Sequence, residues 1–217
     1  MEKIVIIGGG GHAKVVISLL QKVDNFEIIG FVDINEKKDI LGIPYLGDDK
    51  ILPDLYNKGI NNAVLAIGQI KSSSKRKNIY NELNKLGFNF PSIISPNSII
   101  NKDVIIGAGS VIMDGVIIES GSVIGLNCII NTSSSINHDC SIKDFCHIAP
   151  GVTISGNVNI GFDVFIGTGS NIINNIDIAD NVLISAGSCV LKSIKNKGTY
   201  MGYPLRMVKK WIIKIQI

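Results

Sequence analysis

A period of six residues through the second half of the chain, and a strand–glycine turn–helix at its start, predict the fold class. It is an α/β N-terminal domain with a small Rossmann-like parallel sheet, followed by a left-handed parallel β-helix of hexapeptide repeats. Composition is the third observation. Of 217 residues, 46% are hydrophobic but only 6% aromatic, and 23 are glycine, which suits tightly coiled β-structure better than a helical bundle.

The repeat is carried by isoleucine. Steps of six from Ile94 to Ile184 meet Ile at all sixteen positions, and Val190 follows. Glycine often comes next, as in Ile106-Gly107, Ile124-Gly125, Ile160-Gly161 and Ile166-Gly167. The fourth residue after each Ile is small or β-branched throughout, from Val104 and Ser110 to Val182 and Ser188. Ile and this fourth residue are expected to point inward, with three hexads to a triangular coil of about 18 residues and roughly five coils in all. Cys128, Cys140 and Cys146 fall in the inward slot as small hydrophobes. Cys189 falls outside it.

The segment EKIVII, residues 2–7, reads as a buried strand, and GGGGHAKVVISLLQKV as a glycine turn opening a helix. Val15, Val16, Leu19, Leu20 and Val23 are expected on its apolar face. A second strand ends at Asp33, a third at Gly68, and a basic amphipathic helix spans about Ser73 to Leu86. The glycine turn has the strand-to-helix context of a phosphate-binding loop, with Ala13 at the third glycine position and Asp33 placed to grip a ribose. Three units follow: a Rossmann-like domain with a nucleotide-type loop and its linking helix at 1–92, the β-helix at 93–193 and a tail at 194–217.

A net charge of +3, without a basic stripe, argues against nucleic acid. No segment reads as a signal peptide or membrane span, so a cytoplasmic protein is expected. The four cysteines show neither CxxC pairs nor zinc spacing, and no metal is expected.

The period is the signature of the hexapeptide-repeat family, whose members are typically trimeric acyltransferases with active sites between neighbouring prisms. The family's γ-class carbonic anhydrases need three zinc histidines, whereas this repeat holds only His138 and His147. With GGGGHAKVV, ILGIPYLGD, VLAIG and INTSSSINHDCSIKDFCHIAPGVTISGNVNIG, the chain resembles bacterial sugar acetyltransferases of the sialic acid O-acetyltransferase type. It is most similar to the branch that N-acetylates UDP-4-amino-sugars such as the bacillosamine precursor.

That resemblance implies acetyl-CoA as co-substrate, a nucleotide sugar in the first domain and a homotrimer. His138 matches the family's catalytic base, and Asp139 stands where relatives often have Glu. Asn131 and His147 match active-site positions, and Gly8, Gly10, His12, Asp33 and Gly68 match the sugar-nucleotide pocket. Gly167, Thr168 and Ala186 lie along the pantetheine path, and Arg206, in GYPLRM, near the coenzyme's phosphates. A histidine, which changes charge near neutral pH, suits removal of a proton from an amine attacking a thioester. His138 and His147 lie nine residues apart, half a coil, so on one prism they face different sides and would share a site only between subunits. O-acetylation of sialic acid, N-acetylation of GDP-perosamine, a non-catalytic nucleotide-binding scaffold and an NAD-dependent enzyme are the competing readings.

Overall fold

The computed structural model describes residues 1–70 and 73–202. Four parallel strands, β1 (Glu2–Ile7), β2 (Phe26–Val32), β3 (Tyr45–Gly47) and β4 (Asn62–Leu65), lie in the order β3-β2-β1-β4. Strand alternation distributes β1 to both sides. Ile4 and Ile6 pack against helix α1 (Gly11–Leu20). Val5 and Ile7 join Leu52 and Leu55 of α2 (Leu52–Asn57) and Leu83 of α3 (Ser74–Leu86). The face of α1 differs from expectation: Ala13, Val16, Ile17, Leu19 and Leu20 are buried, whereas Val15 is exposed. The strand expected to end at Gly68 is the fourth, β4, and it stops at Leu65, which leaves Gly68 in the following loop.

From Ile93 onward the chain coils. Seventeen short strands, Ile93–Ile94 to Cys189–Val190, pair in parallel with the strand 18 residues away and form three faces. Each Ile of the repeat from Ile112 to Ile184 is no more than 3% exposed, and so is every fourth-position residue from Ser110 to Ser188. Inward serines donate to corner carbonyls, Ser110 to Gly125 and Ser122 to Asn137, so no hydroxyl there is buried unpaired. Cys128, Cys140 and Cys146 are buried in the same slot and Cys189 is exposed. Burial pushes the Cys140 and Cys146 thiols up, so these are packing groups and poor nucleophiles. Ile94 is 37% exposed, with no coil beneath it. The strand Gly198–Tyr200 pairs with Val182–Ile184, so the start of the tail belongs to the coil.

The corners follow a rule that the isoleucine period hides. Every sixth residue from Gly109 to Gly187 is left-handed, with φ between 51° and 75°. Most are Gly, Asn or Asp, the residues that tolerate this region. Phe145 is the bulky exception at φ 57°. It is held by Tyr80, ring edge to face at 5.7 Å, and by the Lys77 ammonium 5.3 Å above its ring.

The first face carries Ile93, Val111, Ile129, His147 and Phe165 outward, and α1 covers its first coils. Lys22, two residues past the end of α1, also pairs with Asp114 of the coil. Phe165 is half-buried against the His147 ring, centroids 5.2 Å apart. Phe162 is 43% exposed.

Candidate active site

At the end of β1 the chain turns through Gly8, whose φ of 109° and Ile67 neighbour leave no room for a Cβ, which would stand 2.7 Å from that side chain. The Gly9 N–H donates to Asp33 Oδ2 at 2.7 Å and the Asn35 N–H to Oδ1 at 3.0 Å. Burial pushes the Asp33 carboxyl up, but the Asn35 and Gly9 N–H bonds together with Lys37 and Lys75 bring it below its ordinary value. Asp33 thus pins the glycine loop to its neighbour, a task the sequence reading did not assign it. Gly8, Asp33, Asp49, Ile67 and Lys75 line a crevice beyond the carboxyl ends of β1 and β2, where open α/β sheets take ligands. Gly10 precedes α1 and has open space around it.

His12, in the first turn of α1, lies against Gly68, and its Nε2 is buried without a protein partner among the described residues. Burial, then Arg76, then His147 lowers its pKa to about 3, so it is neutral near pH 7. His147 is 8% exposed because the first domain covers its face of the coil. Its Nδ1 lies 2.6 Å from the Gln69 carbonyl and its Nε2 3.1 Å from Asn131 Nδ2. Burial, against the Gln69 bond and with Arg76, brings its pKa to about 4. His12, Gly68, His147 and Asn131 are therefore one neutral, interdomain cluster.

Asn131 sits at the corner between first and second faces. Gly167 stands two coils further along the same edge, at the equivalent position; Thr168 and the exposed Ala186 follow beside it. Between this edge and α1 runs a cleft of about 250 Å³ lined by Lys14, Lys22, Met113, Asp114 and Thr132. Arg206 lies outside the described residues.

His138 and Asp139 occupy the next corner, between the second and third faces, away from this cluster. Both are exposed, and His138 Nδ1 meets Asp139 Oδ2 at 2.9 Å. Asp139 holds the left-handed corner position, φ 58°. The His138 ring lies over Gly156, and a Cβ on residue 156 would stand well inside van der Waals contact with Nε2. Gln69, Arg76 and Gly156 escaped the sequence reading: no period or motif marks the first two, and glycines are common at corners. Among the described residues no group of three His, Cys, Asp or Glu could hold a metal. None of the described helices is long and apolar enough to cross a membrane.

A triangular coil bearing an exposed His-Asp pair, joined to an α/β unit with a glycine-loop crevice, defines the class of two-part β-helix proteins. The PglD N-terminal domain family matches residues 3–83. A search of curated proteins gives no significant match. Among solved structures, perosamine N-acetyltransferase from Caulobacter crescentus, a histidine variant with CoA and GDP-perosamine, is 32% identical; 93% of this chain and 94% of that one align, with a TM-score of 0.88. The acetyltransferase domain of PglB from Neisseria gonorrhoeae FA1090 is 31% identical over 93% and 97%, TM-score 0.87. WeeI from Acinetobacter baumannii AYE is 26% identical over 95% and 99%, TM-score 0.81. The chain belongs to the hexapeptide-repeat sugar N-acetyltransferase family.

Proposed function

We propose that the protein transfers the acetyl group of acetyl-CoA to the amine of a nucleotide-linked amino-sugar, a step in making a bacterial surface or protein glycan. A UDP-4-amino-4,6-dideoxy sugar is the first reading. GDP-perosamine is the second, favoured by the relative that binds it. The observation that carries the reaction is the His138–Asp139 pair. Asp139 occupies Nδ1, so Nε2 is left to take the amine's proton as nitrogen attacks the thioester carbonyl. The C–S bond then breaks and the CoA thiol leaves. Asp139 stabilises the imidazolium that forms.

The nucleotide sugar occupies the crevice beside Gly8, Gly10 and Asp33, with His12 Nε2 awaiting a donor or acceptor from it. The pantetheine arm runs along the Gly167, Thr168 and Ala186 edge. Acetyl-CoA supplies only the activated acyl group.

His138 lies at a different prism corner from Asn131 and His12, which supports a homotrimer in which His138 of one subunit meets the Asn131 edge of the next. The test measures acetyl-CoA consumption with a panel of UDP- and GDP-linked amino-sugars, N-acetylneuraminic acid and no acceptor. Turnover with an amino-sugar nucleotide is expected, and turnover with N-acetylneuraminic acid alone would overturn the N-acetylation. Mixing inactive His138→Ala and Asn131→Ala chains should restore part of the activity if sites are shared between subunits. A stable monomer by light scattering would refute the shared site.

A further inference from the structure

One residue of the α/β domain is buried as a charge with no anion beside it among the described residues. Arg76, on α3, is 1% exposed; among the described residues its two Nη atoms meet carbonyls and its Nε has no partner. Nη1 donates to Leu65 O at 3.3 Å and Ile67 O at 2.8 Å, at the end of β4, and Nη2 to Asn127 O of the coil at 2.9 Å. Burying a cation without a counter-charge is costly. Simple adhesion between domains would be served as well by apolar side chains.

Its neighbours repeat the pattern. Gln69 Nε2 donates to Phe145 O at 3.0 Å, and Lys77 pairs with Asp163. Asn127, Phe145 and Asp163 are spaced by 18, one above another on a single corner, and all three are left-handed. Three successive rungs of the β-helix are therefore each held by a polar side chain of the first domain. The middle rung matters most, because the carbonyl of Gln69 is the group that meets His147 Nδ1.

We propose that Arg76 is a positioning residue for the transfer reaction: by tying the β4 end to the Asn127 rung it presents the Gln69 carbonyl to His147, and through His147 it sets the Asn131 amide. The chain of bonds has a fixed direction. A carbonyl only accepts, so His147 Nδ1 carries the proton, and Nε2 accepts from Asn131 Nδ2. Asn131 Oδ1 accepts from the Thr132 N–H at 2.9 Å, which leaves the second Nδ2 hydrogen for a substrate. The positive charge of Arg76 also disfavours a charged His147 and a charged His12, the two titratable groups of the cluster. An imidazolium would turn an N–H toward the Asn131 N–H and reverse that amide.

This inference rests on the acetyl-transfer reading for its kinetic part only. The test uses the full chain with Arg76→Lys and Arg76→Met. Long-range ¹H–¹⁵N correlation should show wild-type His147 with Nδ1 protonated and Nε2 bare from pH 8 to below 6. That measurement needs no substrate, so it stands whether or not the acceptor sugar has been found. Arg76→Met should mix the His147 tautomers and lower kcat by about 10- to 100-fold, with KM for acetyl-CoA nearly unchanged. Arg76→Lys, which keeps charge but not the fork, should fall between. Should Arg76→Met fail to fold, Gln69→Ala, which removes only the tether to Phe145, is read in the same way. A wild-type His147 protonated on Nε2, or a folded variant with unchanged tautomer and kcat, overturns the proposal.

Discussion

The Nε2 of His147 lies 3.1 Å from the amide nitrogen of Asn131, and the opposite nitrogen of the same ring bonds the Gln69 carbonyl. Both ring nitrogens are therefore engaged within the protein. His147 is a neutral spacer between domains. His138 has Nδ1 committed to Asp139 and an exposed Nε2, so the two histidines have different chemistry although the sequence offers both as site residues.

The first prediction separates them. His138→Ala should lower kcat by about 10²–10⁴-fold, the usual worth of a general base, with acetyl-CoA affinity nearly intact. Asp139→Asn should cost less, because it removes a supporting charge and leaves the base. Steady-state kinetics with the best acceptor check both. If His138→Ala turned over like wild type with the same pH profile, the base would lie elsewhere.

Gly156 provides a second test. A methyl group there would overlap the end of the His138 ring. That ring is an exposed side chain, so it can swing aside at little structural cost. Gly156→Ala should therefore keep its melting temperature within a few degrees while losing about 10-fold or more in kcat. Equal losses of stability and activity would show that the glycine serves the coil alone.

The third prediction concerns acid. His147 falls from 6.5 to about 4 on folding and His12 from 6.5 to about 3, so the unfolded chain binds protons first as pH drops. Stability is then full above about pH 6.5 and declines toward pH 4, by on the order of a few kcal/mol. Urea unfolding midpoints from pH 7.5 to 4 should follow this slope, and His147→Gln should flatten it. A His147→Gln curve parallel to wild type would mean that His147 titrates normally.

A fourth prediction addresses the isoleucine stack. Ile148 is fully buried mid-coil, whereas Ile100 near the open end is only partly covered. Ile148→Ala should cost about 2–5 kcal/mol through lost burial and a cavity that a rigid prism cannot collapse. Ile100→Ala should cost clearly less. Denaturant melts of the two variants give the comparison, and equal losses would contradict an unequally covered stack.

By itself the sequence determined the coil. Period six, Ile at one slot and a small residue at another, is a local constraint repeated every strand, so Ile148 and Cys128 could be placed inward from spacing alone. It also marked the glycine loop and, through likeness to relatives, the His138–Asp139 pair. The corner rule went unseen because Gly, Asn, Asp and Phe share no side-chain property; they share a left-handed backbone. Tertiary structure alone decided what covers the first face. His147 packs on Phe165 across that face, and Val15, at 44% exposure, lines the open cleft between α1 and the coil rather than the core. It likewise decided that Asp33 pins its own loop and that Arg76 lies buried among carbonyls of both domains. The Gly9–Asp33 and Arg76–Asn127 contacts join residues 24 and 51 positions apart, the first within the α/β sheet and the second between the two units, and no local pattern encodes either.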